Sequence, residues 1–174
     1  MDGKMLRLPL VCTRARNKTW DQYDGFDSSE IRKHAFRWNT LFHNSLLEAT
    51  GLGSSGFGSP DIIYSFAAYD VSQGPIRIHC VIPTDITYWS VSFYDMNSQN
   101  FFVENSLAAQ SSELDLILAA QGVDSKLLLN EKVIPSSTKK GMIAIRAVIS
   151  DRNNKAELGR ITAAQKKSFI EPVL

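Results

Sequence analysis

From Asp61 to Ser150 apolar and polar residues alternate with a period of two, interrupted by turn residues. The turns recur roughly every eight to twelve positions, as in an all-β sandwich or barrel of short antiparallel strands. Strands are predicted at Asp61–Asp70, Pro75–Pro83, Tyr88–Asp95, Asn100–Asn105, Glu113–Ala119 and Met142–Ser150, with a short piece at Lys132–Ile134. From Asn153 to Lys167 the period becomes helical, with Ala156, Ile161 and Ala164 among polar residues. Gly159 weakens that C-terminal helix.

Ahead of Gly51 the pattern is different. Lys4–Val11 reads as extended, and Thr19 caps a short helix carrying Trp20 and Tyr23. Ser28-Ser29-Glu30-Ile31 opens a longer helix, in which Ile31, Ala35, Trp38, Leu41, Phe42 and Leu46 fall at helical spacing. Gly51–Ser59 reads GLGSSGFGS, a loop by composition. Residues 1–58 are thus expected to pack as a strand and helical segment on a β core formed by 59–174, in one structural domain.

Alternation also predicts a hairpin. Ile76, Ile78, Cys80 and Ile82 share one face of the first strand, and Trp89, Val91 and Phe93 share one face of the next. If the two strands pair, the apolar faces must lie on the same side. Ile82 then meets Trp89, Cys80 meets Val91 and Ile78 meets Phe93. The opposite face carries Arg77, His79, Tyr88, Ser90, Ser92 and Tyr94, and brings His79 toward Ser92, with Asp95 nearby in sequence.

With 174 residues, 44% of them apolar and 21% charged, the chain has the usage of one globular domain. Nineteen basic against eighteen acidic residues leave a net charge of +1, without the basic field of a nucleic-acid binder. No apolar run reaches the length of a membrane span. Two cysteines, Cys12 and Cys80, are too few for a disulfide scaffold or a structural zinc site, and their spacing leaves one bridge between them open.

Each chemical candidate stands beside a plainer reading. Gly51-Leu52-Gly53-Ser54-Ser55-Gly56 matches GxGxxG, but a dinucleotide site needs a strand before the loop and a helix after it, and the order here is reversed. His34, His43 and His79 form no ligand-spaced pair, so no metal is expected; His34 and His43 read as helix-surface residues. His79 with Ser92 meets one requirement of a nucleophile–base pair but comes without an oxyanion hole, so cross-strand hydrogen bonding accounts for it as well. Tyr88, Trp89, Phe93, Tyr94, Phe101 and Phe102 read chiefly as core, with the tyrosines of the polar face as ligand candidates. Arg77, His79, Tyr88, Tyr94 and Asp95 are the candidate ligand-binding residues; no catalytic residue and no cofactor is assigned.

Several stretches are similar to one family. They are Ser59-Pro60-Asp61-Ile62-Ile63-Tyr64-Ser65, Tyr69-Asp70-Val71-Ser72-Gln73-Gly74-Pro75-Ile76-Arg77-Ile78, Tyr88-Trp89-Ser90-Val91-Ser92-Phe93-Tyr94-Asp95 and Asn97-Ser98-Gln99-Asn100-Phe101-Phe102. The segment from Arg146 through Asp151 into Ala156-Glu157-Leu158 is similar too. Together they resemble the bacterial domain-of-unknown-function family numbered 1254. The resemblance implies an antiparallel jelly-roll-like β-sandwich, mainly β and α+β by content. Longer relatives add a second β domain, numbered 1214. Short relatives carry an N-terminal membrane helix, which would tether the domain on the periplasmic side of the inner membrane. The family assigns no activity.

Two functions follow as expectations. One is a non-catalytic envelope domain that binds a protein partner or assembles with itself. The other is a small-molecule binder or enzyme with a pocket on the polar face of the 75–95 hairpin.

Overall fold

The computed structural model describes residues 37–45, 59, 61–109, 111–123 and 131–173. The predicted elements upstream of residue 37 and the glycine-rich loop over 51–58 lie outside the described residues. Among the described residues, nine strands and one helix follow in the order β1 (Phe42–His43), β2 (Ile62–Asp70), β3 (Ile76–Val81), β4 (Tyr88–Asp95), β5 (Asn100–Asn105), β6 (Glu113–Ala120), β7 (Lys132–Ser136), β8 (Lys140–Val148), α1 (Lys155–Lys167) and β9 (Phe169–Pro172). Each predicted strand from 61 onward is present, and so is the helix. The strands form a five-stranded sheet ordered β1-β2-β8-β4-β5 and a four-stranded sheet ordered β7-β6-β3-β9. All described pairings are antiparallel except β6 with β7.

The predicted hairpin is corrected. β3 pairs with β6 and β9 in the smaller sheet, whereas β4 pairs with β5 and β8 in the larger. Ile82–Trp89, Cys80–Val91 and Ile78–Phe93 are therefore not ladder pairs. The two apolar faces themselves were read correctly: Ile78, Cys80, Val91 and Phe93 are all 0% exposed and belong to one core cluster. Alternation fixes which side chains of a strand share a face, and it is silent on whether the partner face lies beside it or across the core. Here the two sheets bury their apolar faces in the same cluster, with Ile63, Ala67 and Tyr69 of β2 and Ile143, Ile145 and Ala147 of β8 on one side and Leu116 and Leu118 of β6 on the other.

A second correction concerns Trp38, Leu41 and Phe42, predicted on a helix. Trp38 and Asn39 form a turn, and Asn39 takes a φ of 58°, outside the helical range. Its backbone N–H donates to the Ala68 carbonyl, its Nδ2 donates to the Asp70 carbonyl, and its Oδ1 accepts from the Asp70 N–H. The edge of β2 thus draws this segment into strand pairing, with Phe42 opposite Phe66 and His43 opposite Ser65.

β8 has β2 on one side and β4 on the other, and Gly141 near its start lies between Tyr69 and Asp95. A Cβ at Gly141 would collide with the Tyr94 carbonyl oxygen and come within 2.5 Å of the Tyr69 hydroxyl. Tyr69 fills that gap, is fully buried, and shares a 2.8 Å hydrogen bond with Ser136 Oγ of the other sheet.

Helix α1 starts at the Asn154 cap, whose side chain accepts from the Glu157 N–H. Glu157, 1% exposed, accepts from the Ser150 N–H at 3.0 Å and the Ser150 hydroxyl at 2.8 Å. Burial pushes its carboxyl up, but those hydrogen bonds, with that from the Asp151 N–H and the charge of Arg160, outweigh burial and hold it below the usual range. Ile161 and Ala164 face the core, and Ser168 ends the helix by donating to the Ala164 carbonyl.

Gly141→Ala should destabilise the fold by about 1–3 kcal/mol or more through overpacking, read as a lower urea midpoint at unchanged slope. Glu157→Ala should cost about 1–3 kcal/mol by stranding the donors of Ser150, measured the same way.

Candidate functional site

The division into two sheets splits the predicted ligand residues. Arg77 and His79 lie on β3, on the side of the smaller sheet away from the core. Arg77 is held by Glu131 at 2.7 Å and by Glu171 at 3.6 Å, and the Glu131 contact raises its pKa. His79 Nδ1 lies 3.0 Å from Asp115 Oδ1, and its ring stacks on Phe169 at 4.9 Å. Arg77 is thus balanced by two carboxylates, and His79 is engaged by a carboxylate and a ring. His79 does not meet Ser92, which belongs to the other sheet. Asp95 points inward at 4% exposure and accepts from the N–H groups of Asn97 and Gln99, tying down the β4–β5 turn.

Tyr88 and Tyr94 lie on the outer face of the five-stranded sheet, opposite in direction to Trp89, Val91 and Phe93. At the centre of this face is Arg146, one of the outward residues of β8. Across the sheet it is flanked by Tyr64 of β2 and Ser90 of β4. Its Nη1 donates to Ser92 Oγ and its Nη2 to Tyr94 Oη, each at 3.1 Å. The guanidinium also lies 5.9 Å from the centre of the Tyr94 ring. Among the described residues it has no carboxylate partner, unlike Arg77 and Arg152. Reading by alternation passed over Arg146, although a charged residue inside the apolar run Met142–Val148 is the signal that marks it.

A second polar group was also missed. His43, predicted on a helix surface, lies on β1 with Nδ1 2.8 Å from Ser65 Oγ. Ser65 is 2% exposed and accepts from Gln165 Nε2 at 3.1 Å. Burial lowers the His43 pKa and favours the neutral ring, in which the tautomer sets whether Nδ1 or Ser65 Oγ donates. Ser65 and Gln165 line a cleft between α1 and the sheets with Trp89, Ile161 and Ala164. Asn44, next to His43, is 3% exposed and leaves Oδ1 without a hydrogen-bond partner. The long sequence separation of His43, Ser65 and Gln165 hides this group from any local pattern.

Cys80 is a free thiol, fully buried, with its pKa pushed by burial to about 12; it is not bridged to Cys12. Among the described residues no group of three metal-ligating side chains occurs, and no helix is long and apolar enough to cross a membrane.

Because the folded His43 pKa lies below its unfolded value of about 6.5, folding disfavours the protonated ring. Stability should be insensitive to His43 above about pH 7 and fall as pH drops through 6.5. The stabilisation from Asp70 and Glu157, whose carboxyls are held low, is present near neutral pH and is lost only at more acidic pH than the His43 effect. Urea titrations of wild type and His43→Gln between pH 7.5 and 5 should show a shallower decline in the variant.

Among the solved structures that share this fold are two with TM-scores above 0.5. One is the VPA0106 protein of Vibrio parahaemolyticus, 14% identical, with a TM-score of 0.62 over 81% of this chain. The other is an uncharacterised protein of Burkholderia cenocepacia, 17% identical, with a TM-score of 0.51 over 70% of this chain. The chain spans only about a third of each, 32% and 34% of their lengths. No curated protein matches it. Residues 38–172, most of the chain and every described strand of both sheets, match the family described as protein of unknown function (DUF1254), and the chain belongs to that family.

Proposed function

We propose that this chain is a non-catalytic, envelope-associated binding domain, a jelly-roll-like β-sandwich that assembles through the β5 side of its larger sheet. Tethering at the membrane through an N-terminal helix, as the short relatives imply, belongs to the same reading. The observation that carries the reading is the exposure of apolar side chains there. Val103 on β5 is 49% exposed and Leu107, just beyond it, 86%.

Among the described residues β5 has a partner strand on one side only, β4. An edge of this kind is a template for strand addition. Its first half is blunted by a bulge at Phe93/Tyr94 and by Asn100, whose Nδ2 donates to the carbonyls of Phe93 and Phe102. Lys132 of β7 reaches across to Glu104 and lies over the Phe102 ring. That leaves Val103 through Leu107 as the contact region, and a second copy, pairing edge to edge about a two-fold axis, as the simplest partner.

Light scattering over a concentration series should show reversible association of the wild-type chain. The double substitution Val103→Lys with Leu107→Glu should abolish it while changing unfolding stability by no more than about 0.5 kcal/mol, as exposed positions do. A wild-type chain that remains monomeric throughout would contradict this reading.

A further inference from the structure

We infer that Arg146, with the hydroxyls of Ser92 and Tyr94, forms a carboxylate-binding site on the outer face of the five-stranded sheet. An arginine keeps its charge at any ordinary pH and carries five N–H donors in a rigid fork. Two are used by Ser92 Oγ and Tyr94 Oη. Among the described residues the other three have no acceptor and no carboxylate balances the charge. Each hydroxyl accepts from the guanidinium, and its own proton has no acceptor among the described residues. The site therefore offers donors in excess and no fixed acceptor.

Position adds pre-organisation. Arg146 stands on β8, with Tyr64 and Ser90 directly across from it on the neighbouring strands. Ser92 and Ser90 are each only 3% exposed, and Arg146 is half-buried. Lys140, the other described cation of β8 on this face, is occupied by Asp70 at 3.2 Å and by the Trp38 ring at 4.4 Å. One open guanidinium matches one carboxylate in charge and in its planar, two-toothed geometry. A phosphate dianion would be left half-neutralised. Two-fold docking of this face on itself would set two such guanidinium groups against each other, so the carboxylate comes from a different molecule. The site does not depend on the β5 contact proposed above, since it can be read in the monomer.

The test is a titration of the full isotopically labelled chain, followed by amide NMR, with three probes: succinate, the blocked peptide Gly-Gly-Glu-Gly-Gly, and inorganic phosphate. Saturable shifts centred on Ser92, Tyr94 and Arg146 are expected with one or both carboxylates. Tighter binding of the peptide points to a protein side chain as the source, and tighter binding of succinate to a free acid. Arg146→Gln should weaken binding at least about tenfold, and Tyr94→Phe, which keeps the ring and removes one donor, should weaken it several-fold. Should Arg146→Gln not fold, Arg146→Lys, which keeps the charge and loses the fork, should show the same direction of change. The proposal is overturned if neither carboxylate gives saturable shifts, if phosphate alone binds, or if the Arg146 variants bind as tightly as wild type.

Discussion

Two strands with strictly alternating apolar residues, β3 and β4, have to bury those faces completely, and one core serves both. Had they paired as neighbours, their apolar sides would form a single broad face still needing a cover. Placed in different sheets, each covers the other's apolar set, and Ile78, Cys80, Val91 and Phe93 lose all contact with solvent. Burial at about 25 cal/mol per Å² of apolar surface makes that closure the dominant favourable term for the fold. Every later placement follows from it. The segment between Ile82 and Tyr88 must cross from one sheet to the other, β4 must find new neighbours, and the polar residues of β3 and β4 must leave the molecule on different sides.

β8 supplies one of those neighbours. It accepts β2 and β4 together, and it tolerates Tyr69 over its backbone because Gly141 has no side chain there. The Tyr69–Ser136 hydrogen bond then joins the two sheets through the core. On the other face of the same strand, alternation turns Arg146 outward between Tyr64 and Ser90. The packing device on the inside and the binding device on the outside are thus fixed by the same pairings: a shift of β8 by one residue would bury Arg146 and expose Ile145.

The strand runs from Ile62 to Val148 were legible because their period, their turn residues and their β-branched and aromatic content all agree. The helix at Lys155–Lys167 was legible through Ile161 and Ala164. The short strands were not: two residues at Phe42–His43 and four at Phe169–Pro172 carry no period, and both form only because a longer strand offers an edge. Pairing was illegible for a different reason. Sequence neighbours usually pair, and nothing local to Thr84–Thr87 announces that the chain changes sheets. The candidate site inherited that error. Tyr88 and Tyr94 were placed on one outward face because they share a strand with a clear alternation. Arg146 and the His43–Ser65–Gln165 group depend on contacts between distant segments, which periodicity does not report.

The exchange of partners between β3 and β4 is the claim on which both the core and the Arg146 face rest. Backbone NMR contacts across the ladders read it directly. Contacts between Ser92 and Ala144 and between His79 and Asp115 are the result required by this fold. Backbone contacts linking Cys80 with Val91 would restore the simple hairpin and contradict it.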